Sequence, residues 1–93
     1  MGNSRLSIDT ELEEIGHITH FFVKISVAVL ELKGALKTGD RILVQGETTD
    51  FEQTVNSMQI EHENIESASA GQSVGLKVDQ RVREGDRVYK VLS

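Results

Sequence analysis

The chain contains no cysteine and no tryptophan, and its aromatic residues are three Phe and one Tyr. Without thiols, neither a disulfide nor a thiolate metal site can staple a domain of 93 residues. Stability must come from hydrogen-bonded strands and aliphatic packing. The apolar residues are mainly Val, Ile and Leu, a composition that suits strands. No apolar run approaches the ~20 residues that span a membrane as a helix. The N-terminus lacks the basic start and apolar stretch of a secretory signal. A cytoplasmic location without membrane association is therefore expected. Met1-Gly2 does not make a myristoylation signal, because that motif wants Ser or Thr where Leu6 stands. No Gly-rich loop ends in Gly-Lys-Ser/Thr, so no nucleotide site is expected. No Gly-x-Ser-x-Gly elbow supports serine catalysis. A net charge of −5 disfavours strong, non-specific nucleic-acid binding and leaves only local basic patches.

What is present reads as one small domain of strands. Residues 1–13 are polar and predict a flexible tail, with the folded domain over 14–93. A first strand is predicted over Glu14–Val23. A second carries Ile25, Val27 and Val29 on one face, then Leu30 and Leu32 on the other; that slip predicts a bulge or burial on both sides. Further strands are predicted over Arg41–Gln45, Phe51–His62, Ser73–Val78 and Asp86–Leu92. In the fourth, Met58 and Ile60 face the core, while Val55, Ser57, Gln59 and Glu61 face the other way. About six strands with glycine-bearing turns predict a closed, antiparallel, Greek-key β-barrel, closure being one way to remove exposed edges.

One internal echo stands out. Leu36-Lys37-Thr38-Gly39-Asp40-Arg41-Ile42 resembles Val82-Arg83-Glu84-Gly85-Asp86-Arg87-Val88. In each, the Gly can take positive φ and the Asp carboxylate can cap nearby amides as the chain enters a strand. The pattern is turn chemistry used twice, not a metal or phosphate site.

With the strands placed, the chain resembles the second, β-barrel domain of the translational GTPases such as elongation factor Tu. The likeness rests on Ile15-Gly16-His17-Ile18, on Gly34 through Ile42, on Val55-Asn56-Ser57-Met58-Gln59-Ile60, and on Ala68 through Leu76 followed by Glu84-Gly85-Asp86. It also resembles barrels appended to the C-terminus of a collagenase-type peptidase family linked to RNA modification. Phe21 through Val29 and the Met58–His62 run carry that second likeness. The first resemblance implies a translation-factor-like module in which the barrel helps hold the aminoacyl end of tRNA. Ser67, however, stands where that family places a pocket glutamate, and Ser73 where it places an asparagine, so no pocket carries over. The second implies a protein-interaction module that docks a peptidase-like enzyme in trans.

Candidate site residues are few. His17 and His20 are three apart in a strand, which points them to opposite faces and away from joint metal ligation. His62 is expected opposite Glu61 and Glu63, and Glu61, Glu63 and Glu66 read as a solvated link. One of Phe21 and Phe22 should lie in the core, leaving the other as a surface for stacking. Arg81, Arg83 and Arg87 gather around the last turn with Lys77 nearby; Lys33, Lys37 and Arg41 form a second basic group. These seven are the candidates for contact with RNA phosphates. The leading expectation is a non-enzymatic, monomeric module without cofactor that contacts tRNA, ribosomal RNA or an RNA-modifying partner. The alternative is the docking module without direct RNA contact.

Overall fold

The structure is a computed structural model in which residues 11–92 are described. Ten strands follow one another: β1 (Leu12–Phe22), β2 (Val27–Leu32), β3 (Leu36–Lys37), β4 (Arg41–Gln45), β5 (Asp50–Thr54), β6 (Met58–Ile60), β7 (Glu63–Ile65), β8 (Ser67–Ala68), β9 (Ser73–Lys77) and β10 (Arg87–Val91). Eight form one antiparallel sheet in the order β5-β4-β10-β1-β2-β9-β6-β7, and β3 and β8 make a separate two-stranded ribbon. The all-β expectation holds. β1 opens at Leu12, ahead of the boundary expected at Glu14, and the rest of the predicted tail, residues 1–10, lies outside the described residues.

Period-two alternation explains the core. Ala28, Leu30 and Leu32 of β2 are all buried in unbroken alternation, and Val27 and Val29 face outward. The slip predicted at Val29-Leu30 is therefore absent from β2. The irregularity lies in β1, where the register shifts between Ile18, opposite Leu30, and His20, opposite Val29. Thr19 is the extra residue, and its hydroxyl donates to the Val29 carbonyl at 3.3 Å. Ile15, Ile18, Ile42, Val44, Phe51 and Met58 complete the centre of one core, joined by Val74, Leu76 and Val88. Each such side chain contributes about 1.5–3 kcal/mol by leaving water.

The predicted fourth strand is two strands. It breaks after Thr54, and Val55 is buried rather than on a wet face, because its amide and carbonyl turn away to the Gly39-Asp40 turn. The predicted closure is not made by main-chain pairing either. The sheet curls until β5 approaches the end of β9, and there a buried side chain replaces the ladder. Gln53, 3% exposed, donates from Nε2 to the Lys77 carbonyl at 3.0 Å and accepts the Asp79 amide at 2.8 Å. Gln53 thus spans a seam that a closed barrel would fill with main-chain bonds.

The Gly-Asp echo has a structural counterpart, used three times. In Lys37–Asp40, Ser69–Gln72 and Arg83–Asp86 the fourth residue's amide donates to the first residue's carbonyl at 3.1–3.2 Å. Its side chain accepts the first residue's amide: Asp40 Oδ2 from Lys37, Gln72 Oε1 from Ser69, Asp86 Oδ2 from Arg83. The third residue is a glycine at φ 92–95° in each, a region where a side chain would be strained. Each turn also grips a residue of another segment reciprocally: Val55, Leu32 and Ile18 respectively. The three turns lock three points of the curled sheet in one way.

Candidate docking surface

The β1–β2 hairpin projects an apolar tip. Ser26 sits at φ 57°, held by its hydroxyl donating to the Val78 carbonyl at 2.8 Å and by its own carbonyl accepting the Val78 amide at 2.9 Å. With that residue pinned to the end of β9, the rest of the turn must point outward. Phe22, Val23 and Ile25 are 46%, 62% and 57% exposed. Phe21 packs against the core while Phe22 does not, as strand alternation requires. The Phe22 ring meets His20 edge-on at 4.4 Å between centroids, and His20 Nδ1 lies 3.5 Å from Glu84 Oε2.

The tip continues into a groove of about 420 Å³ on the outer sheet face. The register aligns its parts. Phe22 stands opposite Val27, Val29 opposite Gly75, Gly75 opposite Gln59, and Gln59 opposite Asn64. Val27 and Val29 form an apolar wall, and Gly75 leaves a notch in the floor. Gln59 forms the facing wall and is fixed by donating to Asn64 Oδ1 at 3.0 Å. Above it runs the two-residue turn Glu61-His62, with both residues at positive φ (51° and 69°). That is the requirement of a type I′ hairpin turn, which favours Asn-Gly. With Glu and His it costs ~1–2 kcal/mol per residue. Glu61, His62 and Glu63 are thus a tight hairpin, not the alternating segment that the sequence predicted, and both turn side chains line the groove.

The bulge at Thr19 also corrects the histidines. His17 pairs with Glu31 and His20 with Val29, which are two apart in a regular strand, so both face outward on the same side. Each faces a carboxylate rather than the other: His17 Nε2 lies 3.5 Å from Glu31 Oε1.

The seven basic candidates are all exposed and lie on several elements. Lys33 and Arg87, assigned to different groups by sequence, share the Glu14 carboxylate at 3.3 and 3.9 Å. Arg41 Nε bonds Glu52 at 3.1 Å. Arg83 Nε donates to Thr48 Oγ1 at 2.9 Å. Lys37 lies on the β3–β8 ribbon opposite Ser67, Lys77 on β9 opposite Val27, and Arg81 in the segment between β9 and β10. Acidic neighbours answer three of the seven. A second, more polar cleft lies by the β4–β5 hairpin, lined by Glu47, Thr48, Asp50 and Arg87 among others. Sequence reading found Phe22 but missed Val27, Val29 and Gly75 as one surface, since only the register brings them together.

No protein-family model matches the chain. It is 52% identical over 77 residues to an uncharacterised protease of Methanocaldococcus jannaschii, covering 82% of this chain and 19% of that protein. It is 32% identical over 78 residues to a collagenase of Porphyromonas gingivalis, covering 82% of this chain and 22% of the collagenase. Its fold matches the crystal structure of the C-terminal domain of a U32 peptidase of Geobacillus thermoleovorans, with a TM-score of 0.79, 20% identity, and coverage of 84% of this chain and 91% of that one. These relatives overturn the leading expectation of a translation-factor-like, RNA-contacting module, and the likeness to the second domain of translational GTPases is not supported. The tRNA and ribosomal RNA partners are likewise unsupported. The likeness to the C-terminal domain of collagenase-type peptidases is supported, and the chain spans about a fifth of the length of the curated relatives it matches.

Proposed function

We propose that this domain is a non-enzymatic protein-interaction module that docks a peptidase-like polypeptide. The observation that carries the reading is the apolar tip Phe22, Val23 and Ile25, continuous with the groove over β2 and β9. Contiguous exposed apolar residues on a small soluble domain mark interaction surfaces. The relatives suggest the partner. The matching segment is about a fifth of proteins named for protease or collagenase activity, so most of each relative lies outside this unit. Domains of one chain typically meet over ~600–1,500 Å², and this tip supplies the apolar centre such an interface needs.

The test is calorimetric titration of the chain with a purified peptidase-like polypeptide from the same organism. We expect saturable binding with a Kd in the micromolar range. The double substitution F22D/I25D should weaken it ~100-fold, since two buried apolar anchors are each worth ~1–2 kcal/mol or more. Both side chains are exposed in the free domain, so its melting temperature should barely change. Absence of saturable binding by the wild type, or undiminished binding by F22D/I25D, would sink the proposal.

A further inference from the structure

We infer that the notch over Gly75 receives one large apolar side chain of the docked partner, flanked in that partner by a Lys or Arg that meets Glu61. The inference rests on the docking reading above and specifies what the groove takes.

Gly75 is the starting point, because nothing among the described residues asks for a glycine there. It lies in the middle of β9, and it is not among the glycines at positive φ. A Cβ added to it would meet Val27 Cγ1 at 3.5 Å and the Gln59 carbonyl oxygen at 3.8 Å, both ordinary van der Waals contacts. Gly16 differs, since a Cβ there would run into the Glu31 carbonyl. Glycine weakens a strand interior and offers no side chain to pack. One that neither the backbone nor the packing requires marks a place where an outside group comes close.

The surroundings fit an apolar anchor. Val27 and Val29 wall one side of the notch, Phe22 and Ile25 extend the wall toward the tip, and Gln59 is fixed opposite by Asn64. An apolar pocket that a partner's side chain desolvates is where binding energy concentrates. The rim supplies the second element of recognition. Among the described residues that line the groove, Glu61 is the only carboxylate, and no Lys or Arg is among them. A cation beside the anchor would complement it. The strained Glu61-His62 turn is a third sign, since unfavourable backbone conformations cluster at binding sites.

The test compares G75A with G75L in the same titration against the peptidase-like polypeptide. Alanine leaves most of the notch open, and leucine fills it from an outward-facing strand position. We expect G75A to bind within about threefold of wild type and G75L at least ~30-fold more weakly. E61Q should bind ~3- to 10-fold more weakly, with a shallower salt dependence. Melting curves of each variant, expected to match or exceed wild type, separate occlusion from misfolding. If F22D/I25D abolishes binding while G75L binds like wild type, the notch inference falls and docking stands. If the wild type does not bind, both fall. If the wild type instead self-associates and G75L disperses it, the notch serves a second copy of this chain, and the assigned partner is wrong.

Discussion

Two kinds of turn hold this domain together, and they handle positive φ in opposite ways. At Lys37–Asp40, Ser69–Gln72 and Arg83–Asp86 the residue at positive φ is glycine, and a side-chain oxygen of the fourth residue accepts the first residue's amide. A Cβ at Gly39, Gly71 or Gly85 would meet nothing within 4 Å, so these glycines answer to backbone conformation alone. At Glu61-His62 the chain accepts positive φ twice with full side chains. The first kind is placed where strands must be locked; the second sits on the rim of the groove. Local rules are obeyed where the fold is built and broken where a surface is presented, the pattern expected of a binding site.

Breaking the best-built turn gives the largest expected effect. Asp86 is 4% exposed and accepts the Arg83 amide at 2.8 Å. D86A leaves that amide without its acceptor, at a cost of ~2 kcal/mol, and should lower the melting temperature by ~10 °C. Asp40 makes the equivalent bond at 3.0 Å from a half-buried position that water can reach. D40A should therefore cost about half as much. Differential scanning calorimetry of the two variants checks this, and equal losses would mean that burial does not set the strength of the cap.

Relieving the other kind of turn should do the reverse. E61N/H62G installs the pair that a type I′ turn prefers and should stabilise the domain by ~1 kcal/mol, raising the melting temperature by ~5 °C. The same variant removes both rim side chains and should weaken docking of the peptidase-like polypeptide. Stabilisation with unchanged docking would show that the strain has no bearing on the surface.

The two turn types also explain what could be read from the sequence. Gly39-Asp40 and Gly85-Asp86 were legible because a glycine followed by a capping carboxylate signals its own geometry over four residues. The third turn, Ser69–Gln72, carries no such mark, since Gln72 does the work of Asp with a longer side chain. Strand positions were legible from alternation, but the bulge at Thr19 was not, because a single inserted residue leaves no mark until the partner strand fixes the register. That one residue reversed the expected placement of His17 and His20. The buried bridge of Gln53 was equally hidden, since a polar side chain between Glu52 and Thr54 reads as a wet face. Clustering along the chain suggested local basic patches despite a net charge of −5. Pairing with Glu14 and Glu52, set by cross-strand neighbours, divides them.

The smallest expected effect tests whether the three turns are one device. Gln72 is exposed, and its Oε1 accepts the Ser69 amide at 2.8 Å, as the two Asp carboxylates do for Lys37 and Arg83. Q72D would give the third turn the side chain of the other two. Aspartate is one methylene shorter but reaches the equivalent amide in both sister turns. It also loses less rotamer freedom on ordering and accepts more strongly because it is charged. Against this, the added negative charge joins a chain already at −5. The balance should be a stabilisation of no more than ~0.5 kcal/mol, a rise of ~2–3 °C in melting temperature. At high salt, where the general repulsion is screened and the short contact is less affected, the gain should grow. A loss of stability that persisted at high salt would show that the third turn needs the longer side chain, and that its likeness to the other two stops at the backbone.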